Sequence, residues 1–161
     1  MSILYFVRHA AAEDASHGQP DADRALTPDG IRKFHRAARG IVHVVAATPP
    51  RVSFTSPLVR ARQTAELLGE AFDHAKLKVE LRGLPALGPS GSLAKLLREA
   101  RGQVALAVGH EPLLSTWIGE LCFGTSGDLE FKKGALAAVE LTSPNHGRLL
   151  YLLHPGVLRD L

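Results

Sequence analysis

Three apolar stretches of this 161-residue chain end on side chains built for chemistry. "ILYFV" runs into Arg8 and His9, "VALAV" into Gly109 and His110, and "VSF" into "TSPLVRARQTA", which carries Ser56 and Arg60. A buried charge without a partner is costly. A strand that finishes on two cationic groups therefore ends either in water or against an anion. The guanidinium forks of Arg8 and Arg60 match the oxygens of a phosphoryl group. His9 and His110 can serve as nucleophile, base or hydrogen-bond donor. Ser56 precedes a predicted helix whose N-terminus favours negative charge. Together these groups describe a pocket for a dianionic phosphoryl group. The arginines supply the neutralising charge, so no metal and no cofactor is expected.

The elements that must position these residues follow from the pattern. "ILYFV" is continuously apolar and reads as a strand covered on both faces, as in a parallel sheet. Residues 11–26 read as a loop. "LTPDGIRKFHRAARGIVHV" opens a helix, with Thr27 as N-cap, Pro28 in the first turn and Ile31, Phe34, Ala38 and Ile41 on one face. "PPRVSFTS" gives a second strand, and "SPLVRARQTAELLGEAF" a second helix, capped by Ser56 with Pro57 at its first position. "KVELRG" gives a third strand, "LPALGPSGS" a loop and "LAKLLREA" a short helix. "QVALAVGH" gives a further strand, followed by a helix with Leu114, Trp117, Ile118 and Leu121 on one stripe. "ALAAVEL" and "RLLYLLH" flank "TSPNHG" as an antiparallel hairpin. Alternating strands and helices predict one α/β domain over 1–161, a three-layer sandwich with a mostly parallel central sheet flanked by helices. In such sheets ligands bind outside the carboxyl ends of the strands, where the motifs above converge.

The motifs also resemble those of a known family. "RHA" after the first strand resembles the R-H-G signature of the histidine phosphatase superfamily, of phosphoglycerate-mutase-like fold. "RALTPDG" resembles its R-x-L-T-x-x-G element, "SPLVRARQTA" its S-P-x-x-R-A-x-Q-T-A segment, and "VGHEP" its second-histidine motif. The four occur in the family's order. The short length and "FKKGALAAVEL" are most similar to SixA-type phosphohistidine phosphatases. The resemblance implies that His9 is the nucleophile and forms a phosphohistidine intermediate. It also implies that Arg8, Arg60 and His110 complete the catalytic pocket, with Arg24, Ser56 and Gly109 as substrate-binding candidates. Position 10 is Ala where the family has Gly, which would narrow the pocket if the backbone there required positive φ.

One part of the pattern is missing. Expelling an alkoxide needs a proton donor, worth roughly 10²–10⁴-fold in rate. Larger members of the family carry a Glu or Asp after the third strand, but here that region reads "LRGLPALGPSGS". A phosphohistidine substrate needs no such acid, because imidazole leaves readily. The expected substrate is thus a phosphohistidine-bearing protein, either a phosphotransfer domain or a phosphocarrier. Glu13 or Asp14 in the first loop is the alternative source of a proton. A small-molecule phosphomonoesterase or phosphoramidase of the same fold, and a non-catalytic adaptor that binds a phosphorylated partner, are the alternative functions.

Composition bounds the remaining classes. Net charge is +3, with 19 Lys and Arg against 16 Asp and Glu. No dense basic stripe accompanies it, so no nucleic-acid partner is expected, while an anionic substrate is favoured. No apolar run reaches the roughly 20 residues of a membrane span. The single Cys122 and the lack of a signal-peptide pattern predict a cytoplasmic protein, expected to be a monomer. "HEPLL" lacks the second histidine of a zinc-protease motif, and Cys122 lacks the arginine of a cysteine-phosphatase loop. Arg24 either touches substrate or pairs with Asp21 or Asp23. Lys132 and Lys133 read first as a solvated turn before a strand, with a basic rim for an acidic partner as the alternative.

Overall fold

Ile3, Tyr5 and Val7 pack into one apolar cluster, and Leu4 and Phe6 into another. The first strand, β1 (Ile3–Arg8), is therefore buried on both faces, as its unbroken apolar run requires. The structure is a computed structural model. It describes residues 2–84, 89–127 and 129–161, without the side chains of 89–91.

The other strands are β2 (Val52–Thr55), β3 (Glu80–Gly83), β4 (Ala105–Gly109), β5 (Leu136–Ser143) and β6 (His146–Leu153). They form one six-stranded sheet in the order β3-β2-β4-β1-β5-β6. β1 and β4, β4 and β2, and β2 and β3 pair in parallel, while β5 runs antiparallel to both β1 and β6. All four parallel strands thus deliver their carboxyl ends to one edge.

Helices cover both faces. α1 (Pro28–Val45), α2 (Val59–His74) and α5 (Pro155–Asp160) contribute Phe34, Leu68 and Leu158 to the cluster containing Tyr5. α3 (Pro89–Glu99) and α4 (Leu113–Phe123) contribute Leu96, Trp117 and Ile118 to the cluster containing Phe6. This is the expected three-layer arrangement, with the C-terminal antiparallel hairpin in place.

Local chemistry explains the ends of the elements. The Thr27 hydroxyl accepts from Gly30 N at 2.9 Å, capping α1 as predicted. The second helix differs from expectation. Ser56 is not its N-cap and Pro57 is not its first residue. Instead the Ser56 hydroxyl accepts from Leu58 N at 3.3 Å, two residues on, and α2 begins at Val59. A serine side chain can close such a local turn in place of a helix cap. α3 begins at Pro89, earlier than the predicted "LAKLLREA". A first-turn residue has no intrahelical acceptor for its N–H, so proline is tolerated there. Residues 85–88 of the predicted loop lie outside the described residues. The hairpin strands also reach further into "TSPNHG" than predicted. α5 was not anticipated: it is a six-residue helix, capped by the His154 ring, which accepts from Gly156 N at 3.0 Å. Within the predicted loop 11–26 lies a 3-10 turn, Asp21–Asp23.

Candidate active site

The carboxyl edge of the sheet is stitched together by main-chain bonds. His9 N donates to Gly109 O at 2.9 Å, and Ser56 N to Val108 O at 3.1 Å. The two histidine motifs and the Ser56 turn are thereby joined at one place. Gly109 serves in this stitch through its carbonyl, and a Cβ there would come within 2.9 Å of the Leu114 side chain.

His9 is only 5% exposed. Its Nδ1 lies 2.7 Å from Ala10 O. A carbonyl can only accept, so Nδ1 carries the proton and donates it. In the neutral ring Nε2 then holds the free lone pair. Burial first, and then the charges of Arg60, Arg8 and Lys133, push the ring down to about 4, against the Ala10 bond, which favours the charged form. His9 is therefore neutral at pH 7, with Nε2 unprotonated. His110 is lowered by burial and by Arg60, with a bond to the Glu111 backbone and the charges of Asp21 and Glu111 opposing.

The backbone behind His9 is held by Thr64 and Gln63, which are not themselves reactive groups. Ala10 N donates to Thr64 Oγ1 at 3.0 Å, and Thr64 Oγ1 donates to Arg60 O at 2.7 Å. Leu26 N donates to Gln63 Oε1 at 2.7 Å. The signal was in "RQTA": its Gln and Thr tie the first loop and the end of β1 to α2. Gly30 closes the same region, since a Cβ there would stand 2.3 Å from Ala11 O. The Ala10 methyl does not need a positive φ, because Lys76 is the one non-glycine among the described residues that has one. Ala10 is instead buried in the core.

Both arginines are at the site. Arg8 Nη1 donates to Phe131 O at 2.8 Å. Arg60 is 6% exposed, with Nη1 donating to Asp21 O at 2.8 Å and Nη2 to Asp21 Oδ2 at 3.0 Å. The Nε–H of each guanidinium is buried without an acceptor among the described residues. Such orphaned donors are rare, and here both belong to the groups expected to meet an anion. Arg24 pairs with Asp21: Nη2 lies 2.7 Å from Asp21 Oδ1, and Nη1 donates to Glu13 O at 2.9 Å. Asp21, a pairing candidate for Arg24 in the sequence, links Arg24 to Arg60. Hydrogen bonds from Arg24 and then Arg60 hold its carboxyl below the usual range.

The geometry has relatives. The sequence pattern of the histidine phosphatase superfamily (branch 1) matches residues 4–84. The chain belongs to that superfamily. An uncharacterized protein of Picosynechococcus sp. is 35% identical over 140 residues, covering 83% of this chain and 81% of that protein. The solved structure of the protein histidine phosphatase SixA complexed with tungstate matches with a TM-score of 0.77 at 24% identity, over 97% of this chain and 99% of that one. A phosphoglycerate mutase from Bacillus anthracis matches with a TM-score of 0.73 at 15% identity, over 98% and 95% of the two chains. These structural likenesses establish the phosphoglycerate-mutase-like fold. Membership of the histidine phosphatase superfamily implies phosphatase or mutase chemistry.

The carboxyl edge of the sheet thus brings His9, Arg8, Arg60 and His110 within one another's electrostatic reach. The charged groups that act on His9 are Arg60, Arg8 and Lys133, and those on His110 are Arg60, Asp21 and Glu111. Glu13 and Asp14 belong to neither set, and both are exposed. Glu111 accepts from Ser115 N at 3.0 Å and from the Ser115 hydroxyl, so it is engaged as an acceptor.

Proposed function

We propose that the protein hydrolyses phosphohistidine on a partner protein through a phospho-His9 intermediate. The observation that carries this reading is the state of Asp21. It is the carboxylate that the 3-10 turn brings beside Arg60 and within the field of His110, and two arginines keep it ionised. An ionised carboxylate cannot protonate a departing alkoxide. A phosphohistidine substrate removes that requirement. His9 Nε2 attacks phosphorus while the P–N bond to the substrate imidazole breaks. The leaving ring keeps the electron pair and takes a proton from water. One P–N bond replaces another of the same kind, so neither side of the transfer needs a strong acid.

Arg8 and Arg60 stabilise the charge on the equatorial oxygens of the transferring group. His110, whose ring burial and Arg60 hold toward the neutral form, donates its ring N–H to one of them. Water then attacks phospho-His9, inorganic phosphate leaves, and the neutral Nδ1–H tautomer returns, held by Ala10 O. Phosphate release measured side by side from a phosphohistidine protein and a phosphoserine peptide tests the reading. A preference for phosphohistidine of at least about a hundredfold is expected, the lower end of what general acid catalysis supplies. Equal or reversed rates would overturn it.

A further inference from the structure

Residues 131–135 wrap Arg8. Arg8 Nη1 donates to Phe131 O, Gly134 N donates to Arg8 O at 3.0 Å, and Arg8 N donates to Ala135 O at 3.2 Å. Ala135 N returns to Lys132 O at 2.9 Å, closing a four-residue turn whose third residue, Gly134, has φ +81°. That conformation suits glycine and places Lys133 at the corner of the turn. The two lysines then part company. Lys132 pairs with Glu130 at 2.5 Å. Lys133 makes no hydrogen bond or ion pair among the described residues, and lines a cavity of about 60 Å³ beside Ala10 and Ala11.

Two more cations, Lys33 from α1 and Arg159 from α5, line the same cavity. Lys33 is partly neutralised by Asp29 at 3.0 Å. Arg159 acts on Asp29 only at longer range and has no ion pair of its own among the described residues. The concavity therefore carries a net positive charge from two uncommitted groups, next to the wall that bears the nucleophile. Its floor is Phe34, Ala37 and Pro155. A volume of this size holds about two waters, or one carboxylate.

We propose that Lys133 and Arg159 form a subsite for an acidic side chain flanking the phosphohistidine of the partner protein. The subsite rests on the phosphohistidine reading above and adds to it the chemistry of the partner: an Asp or Glu close to the modified ring. It also gives the lone turn lysine a role that its neighbour, already paired with Glu130, does not share.

Two synthetic phosphohistidine peptides test this, one with glutamates flanking the modified residue and one with glutamines. The wild-type protein is expected to favour the glutamate peptide in kcat/KM by about fivefold, the upper end for an ion pair made by exposed side chains. In the Lys133→Ala/Arg159→Ala variant that preference is expected to shrink to about twofold or less, as for exposed charges. Lys133→Glu is expected to shift the preference toward a lysine-flanked peptide. Equal turnover of both peptides by wild type would overturn the subsite and leave the phosphohistidine activity standing. A preference that survives in the double variant would also overturn it. No turnover of either peptide would overturn the phosphohistidine reading, and this occupant with it.

Discussion

At the scale of the residue, the chemistry depends on which nitrogen of His9 holds the proton. The Ala10 carbonyl fixes Nδ1 as the donor and frees Nε2. An NMR titration of the ring should show a midpoint near 4, where burial and the cations put it, and a midpoint at the ordinary 6.5 would contradict the electrostatics drawn here. The same shift governs stability. The unfolded chain binds a proton on this ring near pH 6.5, while the folded protein does so only near about 4. In that window the unfolded state holds more protons. The contribution of His9 is thus complete above 6.5, is lost as pH falls toward 4, and changes no further below. Denaturation midpoints measured across this range should flatten in His9→Gln. His9→Ala should abolish turnover while the far-UV spectrum and melting remain native-like. Arg60→Ala should weaken vanadate binding by at least about tenfold, the cost of losing one charged hydrogen bond; unchanged affinity would remove Arg60 from the pocket.

At the scale of the element, the decisive contacts are those that hold the nucleophile strand to α2 and to the loop before α1. Thr64 is fully buried and bridges Ala10 N and Arg60 O. Thr64→Val keeps the shape but leaves Ala10 N without a partner, so chemical denaturation should report a loss of about 1–3 kcal/mol. Thr64→Ser, which keeps the hydroxyl, should recover most of the activity, and a serine variant as impaired as the valine would deny the bond its positioning role. Gly30→Ala should destabilise more than an ordinary helix substitution, because its Cβ would collide with Ala11 O. Element ends show how far the sequence could be read. Thr27 was legible as a cap because threonine, proline and aspartate lie in helix-start order. Ser56 was misleading because serine and proline serve equally well in a turn before a helix. α5 is only six residues long, and periodicity needs several turns to register. The Gln63 and Thr64 tethers were visible only as letters of a motif, since their partners lie far away in sequence.

At the scale of the whole molecule, the alternation of strands and helices was enough to place Arg8-His9, Ser56-Arg60 and Gly109-His110 at one edge, and the parallel register of β1, β4 and β2 places them there. The antiparallel β5 and β6 extend the sheet on the far side of β1. They do more than close the fold: the turn leading into β5 wraps Arg8 and presents Lys133. Composition alone could not reveal this, because two adjacent lysines look alike until one of them is paired. A protein whose site combines arginines with unpaired surface cations should bind its anionic partner more weakly as salt rises, with the protein substrate losing more than a small phosphoramidate. Equal salt dependence for the two substrates would argue that the partner's wider charge plays no part.

The most direct test of the account is to mix the protein with a phosphohistidine-carrying protein labelled in its phosphoryl group and quench within the first turnover. The label should be found on His9, stable in base and labile in acid, and should be missing in His9→Ala. Phosphate released with no label ever appearing on His9 would contradict the mechanism.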